Sequence, residues 1–147
     1  MKRILCAVDH SEPSLRGATL AKDLATRYQA ELVLLTVVRL PDTAQSDLSE
    51  YLRHEHEPDP PGVFVAEAAR DELRSLSDRL AGQGAVTTTC DVRTGDTATE
   101  IVSSAEEHAV DLIVIGHRGH NRLARMFLGS VARRVVDTAP CPVLIVR

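Results

Sequence analysis

Five short apolar runs, separated by stretches of helical periodicity, restrict the fold of this chain more than any other feature. Ile4–Val8, Leu32–Val38 and Leu112–Ile115 are almost continuously hydrophobic, the pattern of strands buried on both faces of a parallel sheet. Val86–Val92 alternates, with Thr87–Thr89 at its centre, and reads as a strand nearer an edge; Val143–Val146 is the fifth. After the first strand, Ala18, Ala21, Leu24, Ala25 and Tyr28 step by three and four, which lines one face of a helix. Ala66, Ala69, Leu73, Leu76 and Leu80 do the same later, as do Ile101, Val102 and Ala105. Ser11 with Pro13 just inside predicts a helix start, and Asp96 or Thr97 followed by Glu100 resembles a capping box. Alternating strand and helix predicts an α/β fold with a parallel sheet, right-handed crossovers and helices on both faces.

Length and charge narrow the function. With 147 residues the expectation is one domain over 1–147, long enough to fold without metal or disulfide. A net charge of −4, 3% aromatic residues and no Trp argue against a nucleic-acid-binding face. Cys6, Cys90 and Cys141 are an odd number with no Cys-x-x-Cys pair, so they read as buried inert thiols rather than a disulfide framework. No run approaches 18 apolar residues, and Met1-Lys2-Arg3 leads directly into the first strand. That predicts a cytoplasmic protein with no membrane segment and no signal peptide. One stretch breaks the rhythm: residues 39–62 carry four prolines and six acids. It reads as a flexible acidic excursion with a short helical piece around 47–53.

In an open parallel sheet, ligands bind beyond the carboxyl ends of the strands where the chain order reverses. The first strand runs out at Asp9 and the fourth at Gly116. After Gly116 come His117, Arg118 and Gly119, then nine residues, then Gly129-Ser130 opening a helix through Val131–Val136. Gly116 and Gly119 allow close approach to the main chain. A helix start at Gly129-Ser130 presents amides and a dipole that favour an anion, and the Ser130 hydroxyl can cap that helix or bond a phosphate oxygen. From Leu112 to Val136 there is no acid but there are Arg118, Arg122, Arg125, Arg133 and Arg134, a local basic bias in an acidic chain. A nucleotide phosphate fits this pattern. The plainer alternative is that the glycines shape a turn and the arginines coat a solvated surface.

The spacing Gly-x2-Gly-x9-Gly-Ser, followed by Ala139-Pro140-Cys141-Pro142-Val143 and a final apolar strand, closely resembles the universal stress protein family. So do Ile4–Glu12 and Glu106–Gly116, and the resemblance covers the chain except for the excursion. It implies a single open five-stranded parallel sheet in order 3-2-1-4-5, Rossmann-like, and, in the branch with this glycine pattern, bound ATP; Asp9 is a candidate carboxylate for a magnesium ion accompanying it. Carried over by position, Asp9 lies near the ribose and Val37 meets adenine through its backbone. Gly116, Gly119, Gly129, Ser130 and Val131 surround the ribose and phosphates, with Arg118 among them. His10 stands where a glycine is common and His117 where Ser or Thr is usual. The resemblance also implies a homodimer through the terminal strand, 142–147, whose exposed edge invites another strand.

The expected role is a dimeric stress-response sensor or regulatory module whose loops order on nucleotide binding and present a surface to partner proteins. An interaction module without nucleotide is the alternative. With no P-loop lysine and no evident general base, hydrolysis is expected to be slow at most. His54-Glu55-His56-Glu57 with Asp59, and His117 with His120, contain ligand-type side chains, but their spacing matches no structural zinc site. No metal site and no catalytic residue is expected.

Overall fold

The structure, a computed structural model, describes residues 1–39, 61–81, 86–117 and 128–147. Strands β1 (Arg3–Ala7), β2 (Glu31–Val38), β3 (Thr88–Thr94), β4 (Leu112–Gly116) and β5 (Val143–Val146) are connected through helices. These are α1 (Glu12–Tyr28), α2 (Pro61–Ala81), α3 (Thr97–Glu107) and α4 (Ser130–Thr138). The strands form one parallel sheet in the order β3-β2-β1-β4-β5. The chain therefore steps outward from β1 in one direction and then from β1 in the other, which places the reversal between β1 and β4.

Period-two alternation along the strands sorts the core into two layers. Ile4, Cys6, Leu32, Leu34 and Val114 point to the side covered by Ala18, Ala21 and Ala25 of α1 and Leu73, Leu76 and Leu80 of α2. Leu5, Val33, Leu35, Ile113 and Ile115 meet Ala98, Ile101 and Ala105 of α3 and Ala132 and Val135 of α4 on the other side. Because β1, β2 and β4 are covered on both faces, nearly every residue in them is apolar. The small α1 residues let that helix approach closely: a Cβ on Gly17 would sit 3.6 Å from Val114 Cγ1.

Several boundaries differ from the expectation, each for a local reason. β3 covers Thr88–Thr94 rather than 86–92, because it runs in register with β2 from Leu32↔Thr88 to Val38↔Thr94; its partner sets its length. It is an edge strand, as its alternation predicts. Tyr28 is 56% exposed where the α1 stripe predicts burial. It closes the helix beside Gln29, whose left-handed backbone (φ 53°) turns the chain into β2. Lys22 is buried instead. Pro61 and Gly62, assigned above to the excursion, are the first residues of α2. Proline suits the first helical turn, where its missing N–H would find no partner. Asp96 is the cap of α3, accepting from the Thr99 amide at 3.1 Å; that leaves Glu100 one position too late to close a capping box. The rest of the excursion, with its expected helical piece, lies outside the described residues.

The amino edge of the sheet is tightly closed. The Lys2 and Arg3 amides both donate to Asp111 Oδ2, the latter at 3.0 Å, and hold that carboxyl below the usual carboxylate range. The Arg3 guanidinium reaches Glu31 Oε2 at 2.6 Å and the His108 carbonyl at 2.9 Å.

Candidate functional site

The residues singled out by the sequence converge on the opposite, carboxyl edge. Ala7 is in register with Leu35 on one side and Ile115 on the other, so the chain beyond Ala7, the end of β2 and Gly116 leave the sheet side by side. Two contacts fix the β1 exit: Val8 N–H donates to the Leu35 carbonyl at 2.8 Å, and the buried Thr36 hydroxyl donates to the Val8 carbonyl at 3.1 Å. Asp9 follows, exposed at the mouth. Its Oδ1 accepts from the Ser11 amide at 3.0 Å and the Ser11 hydroxyl at 2.5 Å, and its own amide donates to Ser14 Oγ at 3.3 Å. The carboxylate is thereby held at the start of α1. His10 between them takes a left-handed backbone, φ 60°, a conformation that favours glycine. Its Nε2 is buried and lies 3.2 Å from Glu72 Oε2 on α2, without the alignment of a hydrogen bond.

Across the reversal, His117 N–H donates to the Val146 carbonyl at 2.7 Å, and the His117 carbonyl accepts from the Gly129 amide at 2.8 Å. This second bond brings Gly129 next to the end of β4. Gly129 is the N-cap of α4, and no side chain caps that helix. The amides of Ser130, Val131 and Ala132 occupy the first three helical positions, where no intrahelical acceptor exists. They point, with the positive end of the helix dipole, past the end of β4. His117 Nδ1 is also enclosed and has no partner among the described residues. An amide cluster at a helix start suits an anion, and Asp9 at the end of the neighbouring strand suits a hydroxyl-bearing group.

The described residues thus place Asp9, Val37, Gly116, Gly129, Ser130 and Val131 on one edge, while Arg118 and Gly119 lie outside them. The capping reading of Ser130 needs revision. Ser130 is not the cap of α4 but its first helical residue, because the Gly129 amide is already engaged and its backbone is extended (φ −61°, ψ 151°). Arg134, one of the five arginines of the basic stretch, is exposed but not free. It forms a two-pronged ion pair with Asp96, Nη1–Oδ2 and Nη2–Oδ1 both 3.0 Å. Nothing in the sequence signals this pair, since its members are far apart in the chain and belong to different helices.

Asp96 is a hub. Beyond Arg134 it accepts from the Thr99 hydroxyl at 2.8 Å, and Arg39 Nη2 stands 3.9 Å from Oδ2. The hydroxyl and amide of Thr99, followed by the Arg134 guanidinium, pull its carboxyl down to about 2. Away from the edge, Arg93 binds Asp91 Oδ2 at 2.8 Å and both Glu107 oxygens, while the buried Ser104 hydroxyl donates to Asp91 at 2.8 Å. That network joins β3 to α3. Burial opposes the charge on Asp91, but the bonds from Arg93 and Ser104 outweigh it and its pKa falls.

Other chemistries find less support. Burial pushes the Cys6 thiol up to about 12, and Cys90 and Cys141 are also raised chiefly by burial, so all three stay protonated at neutral pH. All three are free. Among the described residues no group of three or more His, Cys, Asp or Glu could hold a metal ion; the 54–59 cluster and His120 lie outside them. No helix among the described residues is long and apolar enough to cross a membrane.

Comparison with known proteins agrees with the geometry. The model of the universal stress protein family matches residues 1–147. A universal stress protein of Bacillus subtilis, YxiE, is 36% identical over 157 aligned residues covering 99% of this chain and 98% of its own. Among solved structures, universal stress protein UspA from Lactobacillus plantarum superposes with a TM-score of 0.78 at 32% identity, over 99% of this chain and 97% of that one. A universal stress protein solved in complex with cAMP has a TM-score of 0.68 at 25% identity, over 99% and 96% of the two chains.

Proposed function

The chain belongs to the universal stress protein family, and from that premise we propose that it is a cytoplasmic ATP-binding regulatory protein whose ligand lies across the ends of β1 and β4. The observation that carries this reading is the pairing of Gly129 N–H with the His117 carbonyl, which holds the uncapped start of α4 beside the end of β4, the strand next to β1. The Ser130, Val131 and Ala132 amides would receive phosphate oxygens. Asp9, already oriented by Ser11, would accept from the ribose and stand nearest to an accompanying magnesium ion. Val37, half-buried at the end of β2, would contribute its backbone to adenine, and Gly116 would allow the ligand close to β4. Arg118 and Gly119 would complete the phosphate side. A relative in complex with cAMP supports an adenine nucleotide as the ligand class.

Calorimetric titration with ATP, ADP, AMP and adenosine, together with mass spectrometry of whatever accompanies the purified protein, tests the reading. Saturable binding of an adenine nucleotide supports it; no heat and no accompanying nucleotide overturns it. Among the described residues the carboxylate at this edge, Asp9, is assigned to the ribose and already accepts from Ser11, so ADP release is expected far below the ~1 s⁻¹ of dedicated enzymes. Turnover at or above that rate would reassign the protein as an ATPase.

We also propose a homodimer through β5. It is the last strand of the sheet, all four of its residues are half-buried apolar side chains, and its outer edge offers ladder groups to a twofold-related copy. Light scattering at micromolar concentration should give twice the chain mass; a monomer mass removes the proposal. An interaction module working without nucleotide would keep this dimer and fail the titration.

A further inference from the structure

Resting on the nucleotide reading, we propose that Asp96 is an internal substitute for a ligand phosphate, holding the Arg134 guanidinium while the site is empty and yielding it to the phosphate chain when nucleotide binds. The two-pronged geometry, with both N–O distances at 3.0 Å, is the one that arginine uses equally for carboxylate and phosphate. Arg134 lies one turn after Ser130, so the two side chains share a face of α4. Helical side chains tilt toward the N-terminus, which directs the Arg134 stem toward the amides assigned to phosphate.

The exchange is physically easy. Both partners are well exposed, 58% for Arg134 and 41% for Asp96, so no core packing has to move. Exposed pairs of this kind are weak and readily lost to a stronger competitor, and a polyphosphate carries more charge than one carboxylate. Asp96 would not be stranded by the departure of Arg134. It retains the Thr99 amide and hydroxyl and the nearby Arg39, whose Nε also donates to Thr97 Oγ1 at 3.2 Å. Arg39 directly follows β2, the strand that ends with Val37 and Val38. Phosphate at α4 would thus shift the share of Asp96 held by the exit of β2, and link the two sides of the ligand. The plain alternative is a strut between α3 and α4. A strut would affect stability without discriminating ligands that have phosphates from ligands that lack them.

Calorimetric titration of the full chain with ATP and with adenosine separates the two. Arg134→Gln should weaken ATP about fivefold and leave adenosine unchanged. Asp96→Asn, which keeps a capping side chain on α3, should tighten ATP about threefold, again without affecting adenosine. The double variant should behave like Arg134→Gln alone, because Asp96 acts only through the arginine. Melting temperatures of all variants report on folding, and Arg134→Gln alone suffices if Asp96→Asn is unstable. Unchanged ATP affinity in Arg134→Gln, or equal losses for ATP and adenosine, overturns the inference and leaves the nucleotide reading standing. A wild-type chain that binds neither ligand removes both.

Discussion

The two edges of the sheet solve the same problem in opposite ways. At the amino edge, chains arrive from helix C-termini through short turns, two of them built on left-handed residues, Gln29 at φ 53° and Ala109 at φ 47°. Backbone groups there are met by the protein itself: Asp111 takes the Lys2 and Arg3 amides, and Arg3 ties Glu31 to the His108 carbonyl. At the carboxyl edge, chains leave toward helix N-termini, and their amides need acceptors from elsewhere. α3, which follows the edge strand β3, is capped by the Asp96 side chain. α1 and α4, which follow the two strands at the reversal, have no side-chain cap bond. Among the described helix starts, those at the chain reversal lack a side-chain cap and the one after β3 has it.

The sharpest way to break this contrast is to make α4 resemble α3. Gly129 has an ordinary extended backbone (φ −61°, ψ 151°), so Gly129→Asp introduces no strain there. The new carboxylate would cap α4 and stabilise the fold slightly, by a few tenths of a kcal/mol. It would also occupy the amides assigned to phosphate and add a repelling charge, so ATP affinity should fall at least ~100-fold. Calorimetry and a thermal melt measure both effects. Retained ATP affinity in a stabilised variant would place the phosphates somewhere other than α4.

The converse change belongs at the amino edge. Asp111→Ala should lower the melting temperature by a few degrees, because two backbone amides lose their acceptor, and should leave nucleotide affinity unchanged. The pH dependence has a definite sign. Amide bonds from Lys2 and Arg3 depress the folded pKa of Asp111, so its contribution is complete above the ordinary carboxylate value of ~3.9 and disappears as pH falls through the lower folded value. Melts of wild type and variant should differ near neutrality and converge in strong acid. A loss of ATP binding would mean that the two edges are coupled through β1 and β4.

What could be read from the sequence follows the same division. The buried strands announce themselves because β1, β2 and β4 are covered on both faces, and their order follows from the family resemblance that the motifs support. Where a neighbour rather than the local sequence decides, the reading slips: β3 takes its limits from β2, and Tyr28 is expelled because α1 ends at the rim of the sheet. At the carboxyl edge, glycine spacing pointed to Gly116 and Gly129 and to a helix through Val131–Val136, which runs from Ser130 to Thr138. It did not reveal that the His117 carbonyl already holds the Gly129 amide, which moves the available donors on to 130–132. The Asp96–Arg134 pair escaped notice because its members are 38 residues apart and meet only through the packing of α3 on α4.

The smallest effect is expected at His10, where strain and site lie together. Its φ of 60° costs a non-glycine residue ~1–2 kcal/mol relative to ordinary backbone, and among the described residues its enclosed Nε2 has only the misaligned Glu72 carboxylate 3.2 Å away. Glu72 is 65% exposed, so that contact returns less than ~1 kcal/mol. His10→Gly relieves the backbone and removes the poorly met nitrogen, at the expense of that contact and of extra freedom in the unfolded chain, which offsets the gain by ~0.5–1 kcal/mol. The balance favours the variant by ~0.5 kcal/mol, with ATP affinity held within about twofold because the Asp9–Ser11 bonds are untouched. Denaturant melts of the two proteins decide the sign. A clearly destabilised variant would mean that the imidazole ties α2 to the β1–α1 turn more strongly than its geometry indicates, and that the carboxyl edge, like the amino edge, is braced from within.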